Sequence, residues 1–221
     1  MKKFPVTVID NFYENPDLIK EFALSQKFTP SEDGRWPGER SEEVCNLNHN
    51  LFKTFCDKLF SLFYNFEKSK VTWYVETQFQ KINRFSEDRN SVFNRGWVHS
   101  DPGVFSGVVY LSHDNCGTNI YTPKKDVDYL DLEQKEKFIL YSGQKIDEEE
   151  YSKRLLDNNN KFDESIKVRG EFNRLILFEG GAFHGVPSFY TEKEPRLTQV
   201  FFVKKLELEG DNYPIIRSRL R

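Results

Sequence analysis

His99-Ser100-Asp101 stands just before the run Phe105-Ser106-Gly107-Val108-Val109-Tyr110-Leu111. The turn Asn115-Cys116-Gly117-Thr118 then separates that run from another short stretch ending at Tyr121. β-branched and aromatic residues bounded by Gly, Asn and Asp read as strands joined by turns. The same texture returns downstream at 165–169, in Arg174-Leu175-Ile176-Leu177-Phe178, at 182–187 around His184, and at 197–204. Upstream, residues 71–85 carry enough β-branched and aromatic content for one or two further strands. Many short strands with turn signals between them predict a sandwich, a barrel or a jelly roll.

Around this β-rich centre the pattern changes. Residues 4–10 alternate Phe4, Val6 and Val8 with polar neighbours, the period of a strand. Asn15-Pro16 predicts a helix start, with Asn as the cap and Pro at the first helical position. Leu18, Ile19, Phe22 and Ala23 would form its apolar face. A second helix is expected over 50–66, where Leu51, Phe52, Phe55, Leu59, Phe60 and Phe63 recur at three and four residues and would pack on a sheet. Between the two lies a loop rich in Gly, Pro and charge, holding Trp36-Pro37-Gly38. A charged, helix-favouring block at 124–161 interrupts the strands. Its Leu130, Leu132, Phe138, Tyr151, Leu155 and Leu156 can pack, and Asn158-Asn159-Asn160 reads as a loop. An insertion of that length should emerge at a rim as a mobile flap over a pocket mouth, or else pack outside as a helical hairpin.

With 221 residues, the chain can bury roughly 70% of its unfolded surface, enough for a single domain with one core. Its aromatic share of 15% excludes a disordered polar chain. Lys and Arg number 32 against 35 Asp and Glu, a formal net charge of −3, which disfavours duplex nucleic acid as a partner. No apolar run nears the 18 or so residues of a membrane span, and no signal-peptide core follows Met1. Cys45, Cys56 and Cys116 are odd in number and far apart, which fits reduced thiols better than a disulfide framework or a zinc ribbon. A soluble, cytoplasmic protein is expected.

Of the four histidines, His49, His99, His113 and His184, only His99 has a carboxylate two residues on. On a strand that spacing points Asp101 to the same side as the imidazole. The dipeptide spacing alone decides nothing, since this composition would produce about 0.6 such pairs by chance. Its weight comes from order: His-x-Asp, an apolar strand, a turn, a later strand-borne His184, and Arg196 twelve residues further on in Pro195-Arg196-Leu197-Thr198. A buried Arg in an apolar strand needs an anionic partner. That partner could be Glu192 or Glu194, or else a ligand.

In this order of features the chain resembles the Fe(II)/2-oxoglutarate-dependent dioxygenases, over about 78–203. The strand ending Tyr110-Leu111 and the Gly117-Thr118 turn are most similar to the prolyl-4-hydroxylase-like branch. The resemblance implies a mainly β (α+β) fold, a double-stranded β-helix (jelly-roll) core at 71–204 with the helical insertion at 124–161, supported by an N-terminal strand and helices at 1–70. It implies His99, Asp101 and His184 as catalytic ligands of Fe(II). Arg196 would grip the far carboxylate of 2-oxoglutarate, with Thr198 and Tyr110 assisting, although Phe85 stands near where a tyrosine is usual. Ascorbate could support such a centre. Two imidazoles and a carboxylate leave three adjacent positions open on non-haem Fe(II), and a 2-oxo acid and dioxygen can fill them. Arg is the side chain that meets a carboxylate with two parallel N–H bonds. The implied activity is hydroxylation of a small-molecule or peptidyl substrate, with release of succinate and CO2. Two alternatives stand: a non-catalytic jelly-roll binding protein, and a cupin-like metal enzyme that does not use 2-oxoglutarate.

Overall fold

The longest strand sets the frame. Residues 196–209 run without Gly or Pro through the apolar stretch Val200-Phe201-Phe202-Val203 and an alternating Leu-Glu end, and they form one strand with neighbours on both edges. The computed structural model describes residues 6–124 and 135–209. In chain order the elements are β1 (Thr7–Ile9), α1 (Pro16–Leu24), β2 (Thr29–Pro30), β3 (Glu39–Glu43), α2 (Val44–Leu47), α3 (His49–Ser61), β4 (Lys70–Ile82), a 3-10 turn (Val92–Asn94), β5 (Phe105–Tyr110), β6 (Thr118–Pro123), α4 (Lys135–Tyr141), α5 (Glu148–Asn159), β7 (Phe162–Val168), β8 (Leu175–Glu179), β9 (Phe183–Gly185) and β10 (Arg196–Glu209).

The strands make two antiparallel sheets. The larger has the order β1-β8-β5-β10-β4-β3-β2 and the smaller the order β7-β6-β9. A bridge between His99 and His184 adds the His99 segment to the free edge of β9. From β4 onward the chain visits large, small, large, small, small, large, small and large sheet in turn. That alternation is a double-stranded β-helix, the jelly roll expected from the sequence.

Helices α1, α2 and α3 cover one face of the large sheet. Asn48 caps α3 by accepting from the Leu51 amide at 3.0 Å, which satisfies one of the free N–H groups of the first turn. Phe55, Leu59 and Phe60 of α3 and the following Phe63 are fully buried against Phe79, Phe105, Leu177 and Phe201 of the sheet. The Phe55 and Phe201 rings meet edge-on at 5.3 Å. Each such side chain contributes about 1.5–3 kcal/mol by leaving water, so this layer is the main stabilising core.

Several boundaries differ from expectation for visible reasons. Helix α3 ends at Ser61, because the amides of Leu62 and Phe63 tighten to three-residue bonds with Leu59 and Phe60. Residues 70–82 form one strand, paired along its length to β10. Only Phe22, Ile19 and Ala23 of α1 reach the core, while Leu18 is 63% exposed. Asn158 and Asn159 belong to the last turn of α5. Phe4, Leu130 and Leu132 lie outside the described residues.

Candidate metal centre

The covered interior between the two sheets holds the predicted site. His99 and His184 face each other across their bridge, with the amide of each donating to the carbonyl of the other at 2.9 and 2.8 Å. Opposed positions on antiparallel strands bring side chains together, and the two imidazole centroids are 4.4 Å apart. Asp101 is held two residues on by its amide, which donates to the Gly180 carbonyl at 3.0 Å. A Cβ on Gly180 would fall 2.5 Å from the Gly103 carbonyl oxygen, so this approach requires glycine.

The ring nitrogens define the chemistry. His99 Nδ1 lies 2.9 Å from the Trp97 carbonyl and His184 Nδ1 lies 3.0 Å from the Ala182 carbonyl. A carbonyl can only accept, so both Nδ1 atoms carry the proton and both Nε2 atoms present lone pairs. Those lone pairs meet the Asp101 carboxylate, at 3.9 Å from His99 and 3.3 Å from His184. One ligand atom from each residue falls within 4.8 Å of the others. Three electron-rich atoms aimed at one point suit a shared cation, and two imidazoles with one carboxylate suit non-haem Fe(II). Burial and the neighbouring His184 push the His99 pKa well below its usual value, which keeps its lone pair available at neutral pH. Burial acts to raise the Asp101 pKa. Contact with the His184 ring outweighs it and keeps the carboxylate ionised.

Arg196 is 2% exposed and has no carboxylate beside it among the described residues. The two acids considered from sequence are engaged elsewhere, Glu194 with Lys20 at 2.7 Å and Glu192 with Arg89 at 3.4 Å. Its Nη1 donates to Thr198 Oγ1 at 3.5 Å, and its Nε is buried without a partner. The guanidinium carbon lies 5.7 Å over the Tyr110 ring, whose hydroxyl donates to Thr118 Oγ1 at 2.8 Å. Thr198 and Tyr110 thus stand against Arg196, and Arg196 and Thr118 line the cavity whereas Thr198 and Tyr110 do not.

That cavity measures about 490 Å³ and contains the triad and Arg196 together. Sequence reasoning missed two parts of it. One is a group of cations that includes Arg40 and Lys137. The other is the support behind His99. Asn159 Oδ1 accepts from the Val98 amide at 2.9 Å, Asn159 Nδ2 donates to the Gly96 carbonyl at 3.0 Å, and Asn158 Nδ2 donates to the Val98 carbonyl at 3.0 Å. Trp97 Nε1 donates to the Tyr151 hydroxyl at 2.8 Å. The 124–161 block therefore divides by role: α4 lines the cavity with Lys137, Phe138 and Tyr141, while α5 is fastened to the segment carrying His99. Residues 125–134 of the block lie outside the described residues. Gln80 lines the cavity, and Arg84 is turned to Glu87 and the Thr191 carbonyl. His113 is exposed, with its ring against Phe172.

The chain belongs to the family described as a family of unknown function (DUF6445), whose model matches residues 1–188. Among solved structures it is similar to an oxidoreductase of the 2OG-Fe(II) oxygenase family from Burkholderia pseudomallei, at 9% identity over 94% of this chain and 85% of that one, with a TM-score of 0.46. It is also similar to the non-heme alpha ketoglutarate dependent epimerase SnoN from nogalamycin biosynthesis, at 8% identity over 93% and 77%, with a TM-score of 0.45. No curated protein sequence matches it. No helix among the described residues is long and apolar enough to cross a membrane, and the three cysteines are free.

Proposed function

We propose that this protein is an Fe(II)- and 2-oxoglutarate-dependent oxygenase that oxidises a C–H bond of its substrate, by hydroxylation. One observation carries the reading: the His99, Asp101 and His184 donors share a cavity with a buried arginine that has no anionic partner among the described residues. When bound, the metal would supply adjacent open positions for a 2-oxo acid and dioxygen, and with them the oxidising power. The chain supplies the rest. The Trp97 and Ala182 carbonyls hold both imidazoles with Nε2 inward, Arg196 receives the far carboxylate of 2-oxoglutarate, and Thr198 and Tyr110 keep its guanidinium in place. Ile82, Val186 and Phe178 line the cavity with apolar surface that keeps water sparse around the reacting groups. The Tyr110 strand and the Gly117-Thr118 turn support a place beside the prolyl-4-hydroxylase-like enzymes, and the free thiols support a cytoplasmic one.

The test is succinate release from 2-oxoglutarate with Fe(II) and ascorbate. Wild type should form succinate, while His99→Ala and Arg196→Leu should each form almost none. Metal binding without any 2-oxoglutarate binding would favour the cupin-like alternative, and binding of neither would favour a non-catalytic jelly roll.

A further inference from the structure

The cavity is more cationic than its proposed cosubstrate requires. Among the described residues Asp101 is the one carboxylate that lines it, against Arg35, Arg40, Lys137 and Arg196. Arg35 is paired with Asp33 at 2.7 Å, while Arg40 and Arg196 have no ion pair among the described residues, which sets two arginines against one acid. A divalent metal and a doubly charged 2-oxoglutarate cancel each other, so loading the centre as proposed above leaves that surplus in place. Arg196 accounts for one end of the cosubstrate. Arg40 is left over.

Arg40 is held as a binding group would be. It sits on β3, where its register partner is Gln80 of β4, itself opposite Thr198 of β10. Two strand spacings therefore separate Arg40 from the strand of Arg196, roughly 10 Å, about the room a second ligand beside 2-oxoglutarate would need. Its guanidinium carbon lies 4.7 Å from the Trp36 ring centre and 5.5 Å from that of Phe202. Its one side-chain hydrogen bond among the described residues is a long one, Nη1 to the Gln78 amide oxygen at 3.4 Å. Nε has no partner, and neither does the buried Nε1 of Trp36 beside it. The two carboxylates whose charges it feels, Asp101 and Glu76, form no ion pair with it, and Glu76 is taken by Lys204 at 3.2 Å. The Trp36 loop is anchored in turn. Gln80 donates to the Pro37 carbonyl at 2.8 Å, and Gly38 takes φ +69° where a Cβ would lie 2.3 Å from the Lys81 carbonyl oxygen.

We infer that Arg40 is the substrate-binding residue of this oxygenase and that its substrate is a small organic carboxylate with an apolar body, the carboxylate received by Arg40 and the body lying along Trp36, Phe138, Phe189 and Phe202. The planar fork of an arginine matches a carboxylate with two parallel bonds, and the ring contacts fix that fork before the ligand arrives. The aromatic walls suit an apolar body and would repel a wholly polar one.

The inference rests on the proposed metal and 2-oxoglutarate site, and one titration separates the two. Protein saturated with Mn(II) and 2-oxoglutarate is titrated with phenylacetate, indole-3-acetate and hexanoate, with the matching neutral amides, and with inorganic phosphate, and binding is read by calorimetry. At least one acid should bind on the order of ten-fold or more tightly than its amide. Arg40→Gln should abolish that preference while Mn(II) and 2-oxoglutarate bind as in wild type. Arg40→Lys, which keeps the charge and loses the fork, should recover only part of it and covers the case in which Arg40→Gln fails to fold. Equal binding of acids and amides, no acid binding at millimolar concentration, or tighter Arg40-dependent binding of phosphate overturns the inference. So does loss of Mn(II) affinity in Arg40→Gln, which would make Arg40 a support for Asp101. If wild type binds neither Mn(II) nor 2-oxoglutarate, the functional reading itself fails and this inference falls with it.

Discussion

The two faces of β10 have the same strand geometry and opposite contents. Toward the helices, Leu197, Phe201 and Val203 pack into the buried apolar cluster with α3, and the polar exception, Gln199, is fully satisfied: it accepts from the Tyr13 hydroxyl and donates to Thr77 Oγ1 at 3.0 Å. Toward the small sheet stand Arg196, Thr198, Val200 and Phe202, where a buried guanidinium has no anionic partner among the described residues and a cavity is left open. Folding stability resides on the first face. On the second the fold tolerates an incomplete polar group, which costs free energy until a ligand completes it. Substitutions on the two faces should therefore separate stability from binding.

The largest separation is expected at the triad. Ala at His99, Asp101 or His184 should lower Mn(II) affinity by two orders of magnitude or more, read by calorimetry, with little change in the urea midpoint. A matched loss of stability would mean that the three side chains hold the fold. The sharpest comparison comes from two residues of one strand. Phe201→Ala should cost about 3–5 kcal/mol in urea unfolding through the cavity it leaves. Arg196→Leu should leave unfolding free energy unchanged or raised, because it removes an unpaired buried charge, while 2-oxoglutarate affinity falls on the order of a hundred-fold.

A smaller effect should appear at the support of His99. Asn159→Ala removes two bonds to the backbone around Val98, and should weaken Mn(II) binding by about ten-fold while Asn159→Asp, which keeps the acceptor for the Val98 amide, retains part of it. Smallest is a surface pair outside both faces. Partial burial acts to raise the Glu194 pKa, but the Lys20 contact and the amides of His113 and Asp114 outweigh it and bring it below 4.5. A carboxyl lowered by folding contributes stability above its unfolded pKa and loses it as pH falls through the folded one. Glu194→Gln should accordingly cost about 0.5–1 kcal/mol at pH 7 and nothing at pH 2, by urea unfolding at the two pH values.

Much of this architecture was legible in the sequence because it is local. The β-branched and aromatic runs along 105–110 and 196–203 and the three- and four-residue spacing of Phe55, Leu59 and Phe60 are each set within a few residues, whereas Asn15, read as a cap, makes no side-chain cap bond. The His99-x-Asp101 pair and the His184 to Arg196 interval belong to the same class, since one lies within a three-residue segment and the other between two consecutive strands. What the sequence could not carry is transverse. Arg40 meets the cavity through the pairing of β3 with β4 and of β4 with β10, and the asparagines that end α5 reach the His99 segment some sixty residues earlier in the chain. Neighbours across a sheet are decided by register and by the burial of one face, which are properties of the assembled layers, so spacing along the chain says nothing of them. The same reason explains Arg196: the chain placed a cation in an apolar strand, and only the packed fold engaged Glu192 and Glu194 elsewhere and left that cation facing a cavity.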